Sequence, residues 1–147
     1  DYPAGAVAMT GTHDTPTLAG WWQGRDLDWA ARLHRLPAGV DRAQAEAIRD
    51  WDRGLLWSTI AGHSPRPAPD DPAPLVDAAI AHVARTPARL VVVPMEDLLA
   101  EAEQPNLPGT THEHPNWQRR MAVPTAALLD QPAVSARLDI LAARRAD

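Results

Sequence analysis

His13 and Asp14 stand as a polar pair at the end of a run of small and apolar residues, Gly5-Ala-Val-Ala-Met-Thr-Gly-Thr12. Such a run suits a short buried strand whose tip carries the pair. A carboxylate at a strand tip can accept hydrogen bonds from sugar hydroxyls. Those bonds strengthen as a pyranose ring flattens towards an oxocarbenium ion. An adjacent imidazole can donate to the same ring. The residues alone leave a second role open, in which Asp14 ends the strand and caps the helix after it.

A second group of chemically capable residues lies in Asn106-Leu-Pro-Gly-Thr-Thr-His-Glu-His-Pro-Asn-Trp-Gln-Arg-Arg120. This segment is part of a loop-like stretch from Glu103 to Met121, and long loops without secondary structure are often functional. The other reading is a structural strap, with Trp117 packed inward and Arg119 and Arg120 in surface ion pairs. His112 and His114 have a metal-compatible i, i+2 spacing. No third ligand of fitting spacing accompanies them, so no metal site is expected.

The elements that must position these groups follow from local rules. Thr15-Pro16-Thr17 is a helix start, with threonine as cap and proline at the first helical position. The helix carries Leu18, Trp21 and Trp22 and ends at Gly24. A short second helix is expected over Asp28–Arg35, before Pro37 and Gly39 break the chain. Asp41 caps a longer helix to about Ala61, closed by Gly62. Its residues Ala47, Ile48, Trp51, Leu55 and Ile60 follow helical spacing and predict a buried stripe.

His63 to Pro74 is proline-rich and reads as an ordered surface loop, with an interdomain linker as the rival. Asp71 is the expected cap of the next helix, which buries Leu75, Val76, Ala79, Ile80 and Val83 and stops before Pro87. Leu90-Val-Val-Val93 is wholly apolar and fits a strand buried on both faces, as in a parallel sheet. Met95–Ala102 forms a helical turn or two. Thr125–Ala146 is helical and interrupted near Pro132. Strands joined by helices suggest βα units. Two strands cannot cover both faces of a sheet, so the chain reads as a mostly helical piece of a larger α/β barrel, 1–147 forming one unit.

Composition narrows the classes. A chain of 147 residues can bury a core, and its hydrophobic share is 45%. It has no cysteine, which excludes disulfides and thiolate metal sites. All 14 basic residues are arginine, against 19 acidic ones, for a net charge of -5. The charges are scattered rather than pooled, so nucleic acid is not an expected partner. No apolar run is long enough to span a bilayer, and no signal peptide is expected. Six tryptophans stand beside one tyrosine and no phenylalanine. Tryptophan both fills cores and stacks on ligands.

Gly11-Thr-His-Asp14, Thr17 and Gly20-Trp-Trp22 together resemble a signature of the amylomaltases, a family of 4-alpha-glucanotransferases. Asn106-Leu-Pro-Gly109 through Glu113-His-Pro-Asn-Trp117 is similar to the family's C-terminal signature, in the family's order and at about its spacing. The resemblance covers nearly the whole chain and implies a (β/α)8 barrel, of which this would be the C-terminal fragment carrying the last two βα units. It also implies a retaining covalent transfer of α-1,4-glucan segments to a sugar 4-hydroxyl. Maltooligosaccharides or α-1,4-glucans are then the partners, the enzyme is cytoplasmic, and no cofactor is needed.

By motif match Asp14 is the catalytic carboxylate that stabilises the transition state. His13 and Asn106 are substrate-binding. The nucleophile and the acid/base belong to earlier barrel strands in this family and have no motif counterpart here. His112 stands where the family more often has an acidic residue. The resemblance therefore implies that the chain alone is inactive and that its open barrel interior favours self-association. A non-enzymatic glucan-binding or protein-interaction module is the alternative.

Overall fold

Parallel strands cannot be joined by a tight turn and need a crossover, usually helical. The computed structural model, which describes residues 3–145, contains such a unit. Strands β1 (Val7–Met9) and β2 (Leu90–Val92) pair in parallel with Ala8 opposite Val91. Between them run helices α1 (Leu18–Gln23), α2 (Arg25–Arg32), α3 (Arg42–Ala61) and α4 (Ala73–Ala84). Helices α5 (Met95–Leu99), α6 (Thr125–Leu128) and α7 (Pro132–Arg145) follow β2. The expected helix end at Ala146 lies outside the described residues.

The strands differ from expectation in burial. Ala8 is buried, but Val7 and Met9 are exposed, as are Leu90 and Val92. A two-stranded sheet has too few neighbours to cover both faces. Val93 leaves the strand and packs against the core instead.

The helix boundaries mostly obey capping chemistry. Thr17 caps α1 by accepting a hydrogen bond from the Gly20 amide, 2.9 Å. Pro16 precedes the cap rather than occupying the first helical position. Gly24, at φ 80°, both ends α1 and begins α2. The left-handed joint that glycine allows brings α2 forward to Arg25–Arg32, ahead of the expected Asp28–Arg35. Asp41 and Gln44 form a reciprocal capping box at the start of α3. At α4 the cap is Pro72, whose carbonyl takes the Val76 amide, and no side chain caps the helix. Asp71 therefore does not play its expected part.

The largest departure is on α3. Most of the expected stripe points outward, with Ile48 58%, Trp51 70% and Leu55 53% exposed, while Ile60 packs against Trp22, Trp57 and Leu75 as expected. The buried face is Ala45, Arg49, Arg53 and Trp57. Hydrophobicity alone favours the other face, but the arginines find partners that make burial favourable. Arg49 grips Asp26 through both carboxylate oxygens, at 2.8 and 2.7 Å, and donates to the Trp21 carbonyl at 2.6 Å. Its guanidinium also lies 4.5 Å from the Trp21 ring. Arg53 donates to the Trp22 carbonyl at 2.5 Å and pairs with Glu46. Burial pushes the Glu46 carboxyl up, yet hydrogen bonds from Arg53 and Arg42 outweigh it and hold the group below its ordinary value.

Two apolar clusters complete the core. Ala19, Val76, Ile80, Leu98 and Val134 form one, where α1, α4, α5 and α7 meet. Trp22, Trp57 and Leu75 form the other. The proline-rich segment is pinned over the second cluster. The Trp22 indole donates to the Ala68 carbonyl at 3.0 Å and the Trp57 indole to the Ser64 carbonyl at 2.8 Å. That segment is thus an ordered strap, as its reading as a loop requires.

Because α3 buries charge and exposes carbon, substitutions on it should act against intuition. Arg53→Met removes the donor to the Trp22 carbonyl, leaves Glu46 with Arg42 alone, and should lower unfolding free energy by about 2 kcal/mol. Leu55→Gln should change it by less than about 0.5 kcal/mol. Urea denaturation of both variants checks the ordering.

Candidate functional site

The turn after β1 is shaped by its own hydroxyls. The Thr15 hydroxyl accepts from the Thr12 amide and donates to the Thr12 carbonyl, both at 2.9 Å. The Asp14 amide donates to the Thr12 hydroxyl at 3.3 Å. His13 and Asp14 therefore sit in a turn beyond the C-terminal end of β1 rather than on the strand itself. Asp14 makes no helix cap, since Thr17 caps α1.

Both flanks of that turn are tied to one buried group. Asp97, 2% exposed, accepts from the Thr10 hydroxyl at 2.6 Å and from the Leu18 amide at 2.8 Å. Burial is the main influence on its carboxyl and raises it above the ordinary aspartate range, despite those two donors. A second tie is steric. A Cβ on Gly20 would stand 2.1 Å from the Ala102 carbonyl oxygen. Only glycine lets α1 approach this closely, and the Thr17 hydroxyl donates to the neighbouring Glu101 carbonyl at 2.6 Å. This contact gives the Gly20-Trp-Trp22 motif its glycine. Trp22 fills the core and Trp21 lies under Arg49.

The long loop is held by side chains in place of a ladder. Asn116 accepts from the Leu107 amide at 2.9 Å and donates to the Thr110 carbonyl and hydroxyl at 3.1 and 2.8 Å. Its oxygen also faces His114 Nδ1 at 2.7 Å. His114 is buried, and its ring meets Trp29 edge-on at 4.7 Å. Glu113 accepts from the Thr111 and His112 amides, which hold its carboxyl below the ordinary glutamate range. These bonds assign Glu113 and His114 to the loop's own architecture. His112 is exposed, and no cluster of metal-ligating side chains occurs among the described residues.

The two segments meet at one contact. Asn106 Nδ2 donates to Asp14 Oδ1 at 2.6 Å, across 92 positions of sequence. His13 Nε2 lies 3.4 Å from Asp14 Oδ2, and the His13 ring lies 5.3 Å from that of Trp117. The sequence-predicted residues Asp14, His13 and Asn106 thus form one cluster. Asp14 and His13 remain about half exposed, at 51% and 58%. Beside them opens a cavity of about 130 Å³, bordered by Gly11, His13, Thr17, Glu96, Asp97 and Trp117. Its groups can accept and donate hydrogen bonds over an aromatic wall, the equipment needed to grip a polyol ring.

One feature was not singled out from the sequence, and another departs from one of its readings. Asp97 lies on a short helix whose pattern gives no sign that its carboxyl is buried. Trp117 was expected inward as one alternative, but it is 65% exposed and has a left-handed backbone, φ 59°. Of the arginines beside it, Arg119 pairs with Glu103 at 3.5 Å.

Comparison with known proteins places these observations in a family. A sequence model of 4-alpha-glucanotransferases matches residues 1–125. A 4-alpha-glucanotransferase from Haemophilus influenzae is 30% identical over 143 residues, 91% of this chain and 20% of that protein. One from Mycobacterium tuberculosis is 33% identical over 109 residues, 73% of this chain and 15% of that protein. The chain therefore spans about a fifth or less of the length of these relatives. The solved amylomaltase from Corynebacterium glutamicum superposes with a TM-score of 0.75 at 23% identity, over 98% of this chain and 22% of that one. At that identity the likeness establishes the fold.

The buried Asp97 carboxyl gives the fold a pH signature. A raised folded value means that the folded state keeps its proton where the unfolded chain has lost it. Stability should therefore fall as pH rises from about 4, the unfolded value, through the raised folded value. Asp97→Asn can still accept from the Leu18 amide and removes the titration. Relative to the parent sequence, the variant should gain stability between pH 4 and pH 7 in urea melts. A constant difference across that range would contradict the assignment.

Proposed function

The chain belongs to the 4-alpha-glucanotransferase family, and on that premise we propose that it forms the last two βα units of a (β/α)8 catalytic barrel. The parallel β1–β2 pair with helices between its strands supports this reading. So do the exposed faces of both strands, which further strands would cover. Residues 1–147 act as one unit within that barrel. The whole protein transfers α-1,4-glucan segments to a sugar 4-hydroxyl through a covalent intermediate. It works in the cytoplasm and needs no cofactor.

The hydrogen bond from Asn106 to Asp14 carries the proposal, because it joins the two motifs at one point. Asp14 lies beyond the C-terminal end of a strand, where a barrel presents groups to its substrate. Its carboxylate accepts hydroxyls of the ring being transferred, and those bonds tighten as the ring distorts. His13 donates to the same ring. Asn106 fixes the orientation of the Asp14 carboxylate and reaches the sugar beside it. Retaining chemistry further requires a nucleophile and an acid/base about 5–5.5 Å apart. No motif among these 147 residues corresponds to either. The rest of the barrel supplies them. Taken alone, the chain would bury its open strands against a second copy.

Two measurements follow. In the full-length protein, Asp14→Asn should lower kcat by on the order of a thousandfold, with little change in affinity for maltooligosaccharides, because an interaction made mainly in the transition state is lost. Near-normal kcat would show that Asp14 does not have this role. Asp28→Asn, whose carboxylate is paired with Arg25 and Arg42, should stay close to full activity. The isolated 147 residues, incubated with maltotriose, should release no glucose and form no longer product.

A further inference from the structure

Trp117 is exposed at some energetic cost. Its side chain lies beside the Asp14 cluster with 65% of the residue open to solvent. Its φ of 59° is the left-handed region, which L-residues with bulky side chains avoid by on the order of 1 kcal/mol. The surroundings impose that conformation. The Trp117 amide donates to the Pro105 carbonyl at 2.9 Å, and the side chain of the preceding Asn116 is committed to Leu107 and Thr110. The ring that this backbone holds in place lies 5.3 Å from that of His13, on the side of the loop that carries the Asp14 cluster.

Trp117 borders two cavities, as do Glu96 and Pro105. The first is the 130 Å³ cavity that His13 and Asp97 border. The second is a cavity of about 140 Å³ bordered by Glu96, Glu101, Glu103, Arg119, Arg120 and Met121. The side chains of Glu96, Glu101 and Arg120 make no hydrogen bond or ion pair among the described residues, whereas most of the arginines on α2 and α3 are engaged. The second cavity therefore offers unspent donors and acceptors around one aromatic wall. A pyranose presents the complementary surfaces, an apolar face of C–H groups and an equatorial rim of hydroxyls. Aromatic rings and a few convergent polar groups are the general means of holding such a ligand.

We infer that Trp117 is the stacking platform of a sugar-binding subsite next to the ring gripped by Asp14, and that the cavity lined by Glu101 and Arg120 takes the hydroxyls of that neighbouring glucose unit. The inference rests on the glucan reading above and extends it to a residue and a cavity with a separate task. Trp117 touches substrate and binds it. It takes no part in bond cleavage.

Oxidation of exposed indoles by N-bromosuccinimide, followed by peptide mass spectrometry, tests this in the full-length protein. Trp51 supplies an internal control, because it is 70% exposed on α3 and borders neither cavity. Maltotriose should slow oxidation of Trp117 at least about fivefold and leave Trp51 unchanged, and Trp117→Ala should weaken maltotriose binding by about tenfold or more, with Trp117→Phe restoring most of it. Equal oxidation of Trp117 with and without maltotriose overturns the inference, whether or not the alanine variant folds. The Asp14→Asn variant should keep the Trp117 protection while losing transfer. Transfer without protection would sink the platform alone. Protection without transfer by the unaltered protein would sink the catalytic reading and leave the platform standing.

Discussion

The site depends on one buried carboxylate. Asp97 reaches from α5 to Thr10 at the end of β1 and to Leu18 at the start of α1. Those two residues bracket the turn that carries His13 and Asp14. A buried carboxyl with two donors fixes distance and direction together, because each bond is short and each partner belongs to a different element. Without it, the strand end and the helix start would be joined only by a turn held through exposed hydroxyl contacts. The geometry of the turn that carries His13 and Asp14 is thus set by a group outside that turn, at the cost of keeping a carboxyl out of water.

The same economy of position appears on α3, where guanidinium groups do what apolar side chains usually do. Arg49 and Arg53 extend long aliphatic stems through the helix–helix interface and end on carbonyls of α1 and on the carboxylates of Asp26 and Glu46. The planar fork of arginine satisfies several acceptors at once, which an ammonium group cannot match in this geometry. The sequence contains no lysine. Whatever its origin, that bias supplies the residue that this interface uses. Arg42 adds a third link, from Asp28 and Glu46 to the Gly24 carbonyl at the α1–α2 joint.

What could be read from the sequence was local or carried by motif. Thr17, Gly24, Asp41 and Gly62 act at helix ends as capping chemistry requires. The apolar periodicity of α4 identifies its buried face, because Val76 and Ile80 pack into the cluster with α1 and α7, and the charged tie from Asp77 to Arg137 does not turn that face away. Periodicity misled on α3, where Ile48, Trp51 and Leu55 make a persuasive stripe that faces outward. Partners on other helices decide the orientation, Asp26 for Arg49 at 23 positions and the Trp22 carbonyl for Arg53 at 31, and no local pattern contains them. The cluster of Asp14, His13 and Asn106 came from motif resemblance. Spacing could not have paired residues 14 and 106, since their contact arises from the parallel register of β1 and β2 and the docking of the loop. Asp97 was invisible for the same reason: its importance lies wholly in what it touches.

The contact of Gly20 with the Ala102 carbonyl has a consequence for how this protein can change over generations. Where backbone meets backbone there is no side chain to shrink or grow in compensation, so the spacing of α1 from the segment after α5 is immutable. That segment leads within four residues to Asn106. Core positions such as Val76 or Ile80 can drift among apolar types, since volume lost at one can be regained at another. Length cannot drift in this way between Asp97 and Asn106. An inserted residue there would leave every composition statistic intact and still move Asn106 off Asp14, so the stretch should vary in letters and stay constant in count.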